Sequence, residues 1–475
     1  MDDWFQVDPR GIFLWRRLLG CILLLDLSLR GNDLEAHYSD HGVLPRDYFV
    51  DLLGGPAPWL KNFRISGQYL WSVLFLDGSK EWALGTFVAA ALGAVLLISG
   101  RLPRLASWIA WIFLTSIQSR NPLINSGGDT LLRLMLFWSI LQPSQRGPDG
   151  PTTMWAKIPS LGLLCQIVVV YGVTAWLKFG DAWVYRGYAI RDALEIQAFA
   201  RPLAGWLLDQ PRILPTLTRL TWCLEAVIPL LIFGWPSKSR ARIIAFVLIV
   251  GLQLGIACVL DVGLFQPIAI IAAVPILPKA LWDFLETGGS WTRVFFRPIP
   301  PPAAMVEVEP QDEAKSDHTM GFRRLLVIGE RIGTGLSHVL SATALVLVMT
   351  RQVDALFPSR SLIPRPLRIA GEVLRLDQYW GMFAPSPPRA EQGTFSYEGD
   401  VPYKPGIAFD ATGKATEPLF RAFLSDRWRK LYLNLTHDGF KAVRPALKGY
   451  LLHAGRDVDV IFTGRDGRVV RVTAK

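Results

Sequence analysis

The chain has 475 residues, 51% of them hydrophobic and 19% charged, with a mean hydropathy of +0.29. Soluble chains carry about 25% charged residues, and here the apolar residues lie in long blocks near the ~20 residues a bilayer crossing needs, which excludes an ordinary water-soluble globule. The net charge of +10 reads in this setting as basic loops against anionic lipid headgroups and not as a nucleic-acid surface.

The N-terminus, MDDWFQVDPR, is acidic and has no cationic stretch before its first apolar block, so that block reads as a retained helix. Nine spanning helices are predicted, over 12–29, 82–99, 104–118, 128–141, 159–178, 217–235, 241–260, 264–278 and 334–350. Those near 104, 128 and 264 are short for a full crossing. The segment 66–77 (SGQYLWSVLFLD) is too short to span and suits the membrane interface. Cys21, Cys165, Cys223 and Cys258 each sit inside an apolar block with no CxxC spacing, and read as small core residues.

The predicted architecture is an all-α polytopic membrane bundle followed by a small C-terminal β-rich extramembrane domain. Its parts are a helical bundle over 1–290, a Pro-rich charged cytoplasmic linker over 291–330, a last spanning helix with an interfacial segment over 331–390, and the β-rich extracytoplasmic domain over 391–475. Nine spans place the termini on opposite sides. With the N-terminus inside, the short inner loops carry Arg101, Arg104, Arg146, Lys157, Lys238, Arg240 and Arg242, as the positive-inside rule asks. In the last part, KLYLNLT, DVDVIFTG and RVVRVTA alternate like strands, between turn signals at Thr412–Gly413–Lys414 and Arg465–Asp466–Gly467. Asn434-Leu435-Thr436 fits a glycosylation sequon, a pattern common by chance.

Charge inside apolar spans is costly, so each instance is a functional candidate. The set is Asp26, Arg120, Asp129, Arg133, Lys178, Glu225 and Asp261, with the polar Gln253. With the N-terminus inside, most fall in the outer half of the membrane, where one outward-opening polar cavity would unite them. Asp129 and Arg133 are four apart and can pair along a helix. Lys178 ends CQIVVVYGVTAWLKFG with Tyr171 on the same face; it either snorkels to the interface or, desolvated, acts as a base. Glu225, in TWCLEAVIPLL, needs a partner on another helix or a proton. His37 and His41 are four apart, but Gly42 and Pro45 favour a loop there and two ligands are too few for a metal site. Ser-His-Asp, P-loop and GxGxxG signatures are absent from the sequence. The spacing yields a cavity and a base without naming a reaction.

Five phrases in order, AHYSDHGVLPRDYF (36–49), SRNPLINSGGDTLLRLMLFW (119–138), YGVTAWLKFGDAWVYRGYAI (171–190), CLEAVIPLLI (223–232) and LDQYWGMFAPSPP (376–388), resemble the HTTM family. These are transmembrane proteins related to vitamin K-dependent γ-glutamyl carboxylase. The similarity covers most of 11–390 and does not extend over 391–475. It implies a cytoplasmic N-terminus and a non-cytoplasmic β-rich C-terminal region. It also places Lys178 where the carboxylase holds the base that deprotonates reduced vitamin K, which makes a quinone-like lipid the implied cofactor or substrate. The carboxylase uses a His in the stretch matching NSGGDTLL; here Gly127, Gly128 and Asp129 stand instead, which argues against glutamate carboxylation.

The expected site therefore has Lys178 as base, Asp129 and Glu225 as further catalytic groups, and Arg120, Arg133, Tyr171, Trp183 and Gln253 as substrate contacts, without a metal. Substrates would be a quinone-like lipid or an exported peptide, at the plasma membrane among membrane lipids. The alternative is a non-enzymatic factor for maturation, export or immunity of a secreted peptide. Trp380 and Phe383 in the phrase 376–388 either cap the cavity or, the preferred reading, anchor at the interface.

Overall fold

The structure, a computed structural model, describes residues 7–53, 60–63, 68–143, 158–234, 238–287, 339–352, 356, 364–388, 393–399, 407–408, 410, 414–415, 419–453, 458–464 and 467–472. The predicted linker 291–330 lies outside them.

The N-terminal part runs α1 (Pro9–Gly31), α2 (Leu34–Tyr38), α3 (Arg46–Leu53), the hairpin β1 (Leu60–Phe63) and β2 (Gln68–Trp71), α4 (Lys80–Ser99), α5 (Pro103–Arg120) and α6 (Gly127–Leu141). It continues with α7 (Ile158–Leu177), α8 (Ala189–Leu194), α9 (Pro202–Leu208), α10 (Leu214–Ile232), α11 (Lys238–Val259), α12 (Phe265–Ala273) and α13 (Lys279–Thr287). A further apolar helix spans Val339–Gln352. Each of the nine predicted apolar blocks thus contains a helix. The caps are legible: Asp8 accepts from the Arg10 N–H at the start of α1, Ser79 from the Trp82 N–H at α4, and Gly100 ends α4 at φ +73°.

By length and composition four of these helices can cross a membrane: Lys80–Ser99, Ile158–Leu177, Leu214–Ile232 and Ser239–Val259. A fifth candidate is the pair Phe265–Ile276 and Lys279–Thr287, which is bent by 91°. The other predicted spans are shorter or more polar. α1 carries Arg10, Arg16, Arg17, Asp26 and Arg30, and α6 has 15 residues, buried on nearly every side. An apolar helix of that length buried all round is a core element enclosed by its neighbours.

Among the candidate spans, α4 has an apolar outer stripe and a face of small residues. α4 exposes Leu84, Val88, Leu92 and Val95 along one stripe and buries Ala83, Ala90, Gly93 and Ala94 on the other. Small residues let the backbones close up: a Cβ on Gly93 would lie 2.7 Å from the Ala110 nitrogen on α5, and one on Gly20 of α1 2.6 Å from the Ala94 carbonyl. The cysteines depart from expectation. Cys21, Cys223 and Cys258 are exposed and Cys165 is half-buried, because a thiol is apolar enough to face lipid as readily as core. The segment 66–77 holds strand β2 and a 3₁₀ turn, Val73–Phe75, capped by Ser72.

The C-terminal part mixes helix and sheet. Strands β3 (Gly393–Gly399), β4 (Val458–Gly464) and β5 (Val469–Val472) form an antiparallel sheet in that order, with Phe395 opposite Phe462 and Ile461 opposite Arg471. KLYLNLT is not a strand; it lies in a helix, Asp426–Thr436, and Arg444–His453 forms another. Ser425 caps the first, and Trp428, Leu431, Tyr432 and Leu435 repeat at helical spacing on its buried face. The period of 3.6 overrides the short alternation. Asn434 of the sequon sits in this helix and donates to the Leu123 carbonyl at 2.6 Å, so its amide is committed to packing.

Candidate functional site

α7 ends one residue before Lys178. A π-helical turn, Asp181–Tyr185, follows and folds Trp183 back over it. The Lys178 ammonium lies 4.2 Å from the Trp183 ring centroid and donates to both Glu225 oxygens, at 2.8 and 2.9 Å. Both side chains are buried, at 6% and 7% exposure, so the pair is shielded from solvent. Glu225 stands in mid-α10, four residues before Pro229. Proline has no N–H, so the Glu225 carbonyl loses its helical partner, which loosens the helix beside the carboxylate. Gly172 of α7 faces the Pro229 ring, where an added Cβ would make only an ordinary van der Waals contact at 3.5 Å.

Gln253 of α11 donates to the hydroxyl of Tyr171 on α7 at 3.3 Å. Trp183 is pinned from its far side, its indole N–H donating to the Phe383 carbonyl at 3.0 Å. A buried ammonium–carboxylate pair under an aromatic ring can exchange a proton internally, and the neutral amine so formed can accept one from a bound molecule.

No family model, curated protein or solved structure matches this chain.

The charged candidates do not converge on one cavity. Lys178, Glu225 and Trp183 meet, and Tyr171 and Gln253 pair nearby. Asp129 instead accepts from Arg30 of α1 and from Arg427 of the C-terminal part. Its expected ion pair with Arg133 is absent among the described residues. Arg133 donates to the Arg375 carbonyl at 3.0 Å and to Gln118 at 2.8 Å, and lies 3.6 Å from the Asp377 carboxylate. Arg120 is fully buried and holds the loop after α2, donating to the carbonyls of Leu44 and Ser39 and to Asp40. Asp261, half-buried, faces Arg201 and Arg429 at 3.7 and 3.5 Å. These charges are satisfied by separate partners, which disperses the predicted pocket. Among the described residues no group of three or more His, Cys, Asp or Glu could hold a metal, and His37 is buried in α2 while His41 is exposed beyond it.

The phrase 376–388 is the main surprise. It is not an interfacial anchor at Trp380, which is fully buried. The chain threads through the bundle as a strap. Asp377 faces Arg133 and Arg375, Gln378 bonds Gln166 of α7, the Trp380 carbonyl accepts from Thr174 at 3.0 Å, and the Phe383 carbonyl receives Trp183. Burial opposes ionisation of Asp377, but Arg375 and then Arg133 outweigh it and hold the carboxyl below its ordinary range. Thr174 is one helical turn before Lys178, and Trp183 lies over Lys178, so the strap holds a residue on either side of the candidate base.

Sequence reasoning misses Arg30, Gln166, Arg375, Asp377, Gln378 and Arg427. Arg30 has a signal, since it stands four residues after Asp26 and donates to it at 2.7 Å. Arg427 has none; it lies in a polar stretch and its partners are about three hundred or more residues away in sequence.

Proposed function

We propose that this chain is an integral membrane protein of the HTTM type, in the plasma membrane with its N-terminus cytoplasmic and its C-terminus extracytoplasmic, whose Lys178–Glu225 pair handles a proton on a lipid-borne substrate. The carrying observation is the buried bidentate contact between Lys178 and Glu225 beneath Trp183. In this reading Lys178 passes its proton to Glu225, leaving a neutral amine and a neutral acid. The amine then takes a proton from the substrate, which becomes the anion, and the ammonium formed stabilises it. Trp183 sets an aromatic ring against the pair, and Tyr171 of α7 and Gln253 of α11 offer a hydroxyl and an amide. A quinone-like lipid meets those demands: it is flat, apolar and carries an ionisable hydroxyl when reduced. The order of the five HTTM-like phrases supports the same family reading.

The test pairs Lys178→Ala with Lys178→Arg in a cellular phenotype assay, and analyses detergent extracts for bound quinone-like lipid. Arginine can keep the ion pair but does not release its proton. Both variants should lose activity while Lys178→Arg retains the lipid. Full activity in either removes the base role. A co-purified peptide with no small molecule would favour the reading in which the protein only docks an exported peptide.

A further inference from the structure

Three buried charges come from the bundle at one spot: Asp26 and Arg30 on α1, and Asp129 at the start of α6. Arg30 donates to Asp26 and to Asp129. Their side chains are 0–3% exposed, so water does not offset the imbalance: two carboxylates face one guanidinium. The fourth charge comes from the helix Asp426–Thr436. Arg427 donates through Nη2 to Asp26 and Asp129 at 2.7 and 2.8 Å, and through Nη1 to Asp129 and to the Ile124 carbonyl at 3.0 Å. Both of its terminal nitrogens thus find two acceptors each. Planar acceptors in a fork of this kind suit a guanidinium and not an ammonium.

The contacts around Arg427 are weaker in kind. Ser425 and Trp428 donate to Asp33 at 2.9 and 3.1 Å, Asn434 to the Leu123 carbonyl, and Arg429 lies 3.5 Å from Asp261. These orient the helix; of the described residues of that helix, only Arg427 neutralises a fully buried charge of the bundle. We propose that Asp26, Asp129 and the Ile124 carbonyl form a built guanidinium receptor in the bundle, and that Arg427 is the plug through which the C-terminal part docks on it. The receptor and plug make docking all-or-none: removing the plug leaves a net negative charge out of water, a state far costlier than losing one surface contact. This inference does not depend on the chemistry at Lys178.

Chemical rescue tests it on the full chain in detergent. Arg427→Ala should lower the melting temperature and speed proteolytic cleavage of the C-terminal part by about tenfold or more. Methylguanidine at millimolar concentration should then restore at least half of both losses, whereas urea or NaCl at equal concentration should not. In Arg427→Ala combined with Asp129→Asn, methylguanidine should have no effect. The idea is overturned if Arg427→Ala cleaves and melts like the parent, or if urea or salt rescues equally. If Arg427→Ala does not accumulate, Arg427→Met with Asp129→Asn restores the charge balance and should accumulate better than either single change; equal loss in the double variant overturns the proposal.

Discussion

Gln166 and Gln378 exchange two hydrogen bonds across 212 residues of sequence. Gln166 donates to the Gln378 oxygen at 2.6 Å, and Gln378 donates back at 3.3 Å. The Gln378 oxygen also accepts the indole N–H of the buried Trp380 at 2.6 Å. One amide therefore fixes the strap to α7 and satisfies its largest side chain.

Gln378→Leu should destabilise the protein by about 1–3 kcal/mol for each buried donor or acceptor it strands, here Gln166 and Trp380. Gln166→Leu with Gln378→Leu should cost less than the two single changes added, since both partners of the reciprocal pair are then gone. Thermal melting in detergent reads both. A Gln378→Leu variant that melts like the parent would mean the strap is held elsewhere.

The Lys178–Glu225 pair separates structure from chemistry. Lys178→Met leaves a carboxylate buried without its partner, and removing one member of a buried pair costs about 3–5 kcal/mol. Adding Glu225→Leu should recover most of that loss in melting experiments. The recovered double variant should still be inactive in the cellular assay, because nothing remains to take the proton. Activity in the folded double variant would assign the pair to stability alone.

How far the sequence reveals this molecule depends on the range of each interaction. The apolar blocks are local, and every one contains a helix because hydrophobic length and caps such as Ser79 and Asp8 act over a few residues. Lys178 and Glu225 are each recognisable as misplaced charges, since apolar neighbours reveal the cost of burial; their pairing across 47 residues is not. Asp129 stands out in the sequence but with the wrong partner. An i,i+4 rule points to Arg133, while Arg30 and Arg427 reach Asp129 only through tertiary packing. The strap is hidden for the same reason. A tryptophan in a short run ahead of prolines looks alike at an interface and in a core until the amide that receives it is in place.

His37 gives a pH dependence with a definite sign. It is buried, packed on Trp428 with ring centroids 4.5 Å apart, and among the described residues neither ring nitrogen has a hydrogen-bond partner. Burial, and then Arg427 from the C-terminal helix and Arg30 from α1, push its pKa down from 6.5 to about 3. The unfolded chain therefore binds more protons than the folded one between those values. Stability from this group is complete above about 6.5 and falls as pH drops, by up to about 1.4 kcal/mol per unit. Melting temperature measured between pH 7.5 and 5 should decline in the parent, and His37→Phe should flatten the decline. An unchanged slope in His37→Phe would place the acid sensitivity in other groups.

Two glycines on α4 should respond oppositely to the same substitution. A Cβ on Gly93 would meet the Ala110 nitrogen at 2.7 Å and its Cα at 3.0 Å, backbone atoms that cannot swing aside. Gly93→Ala must therefore push α4 away from α5 along a seam built of Ala83, Ala90, Ala94, Ala106 and Ala110, all fully buried. Gly85, two turns earlier, is exposed and has nothing within 4 Å of its added Cβ. There the substitution only improves helix propensity, by up to about 1 kcal/mol. Gly85→Ala should leave the melting temperature equal or slightly higher, whereas Gly93→Ala should lower it, by about 1–3 kcal/mol for overpacking. Membrane insertion should be unaffected in both, because hydropathy hardly changes. Equal melting of Gly93→Ala and Gly85→Ala would mean that α4 and α5 are not held together along this seam.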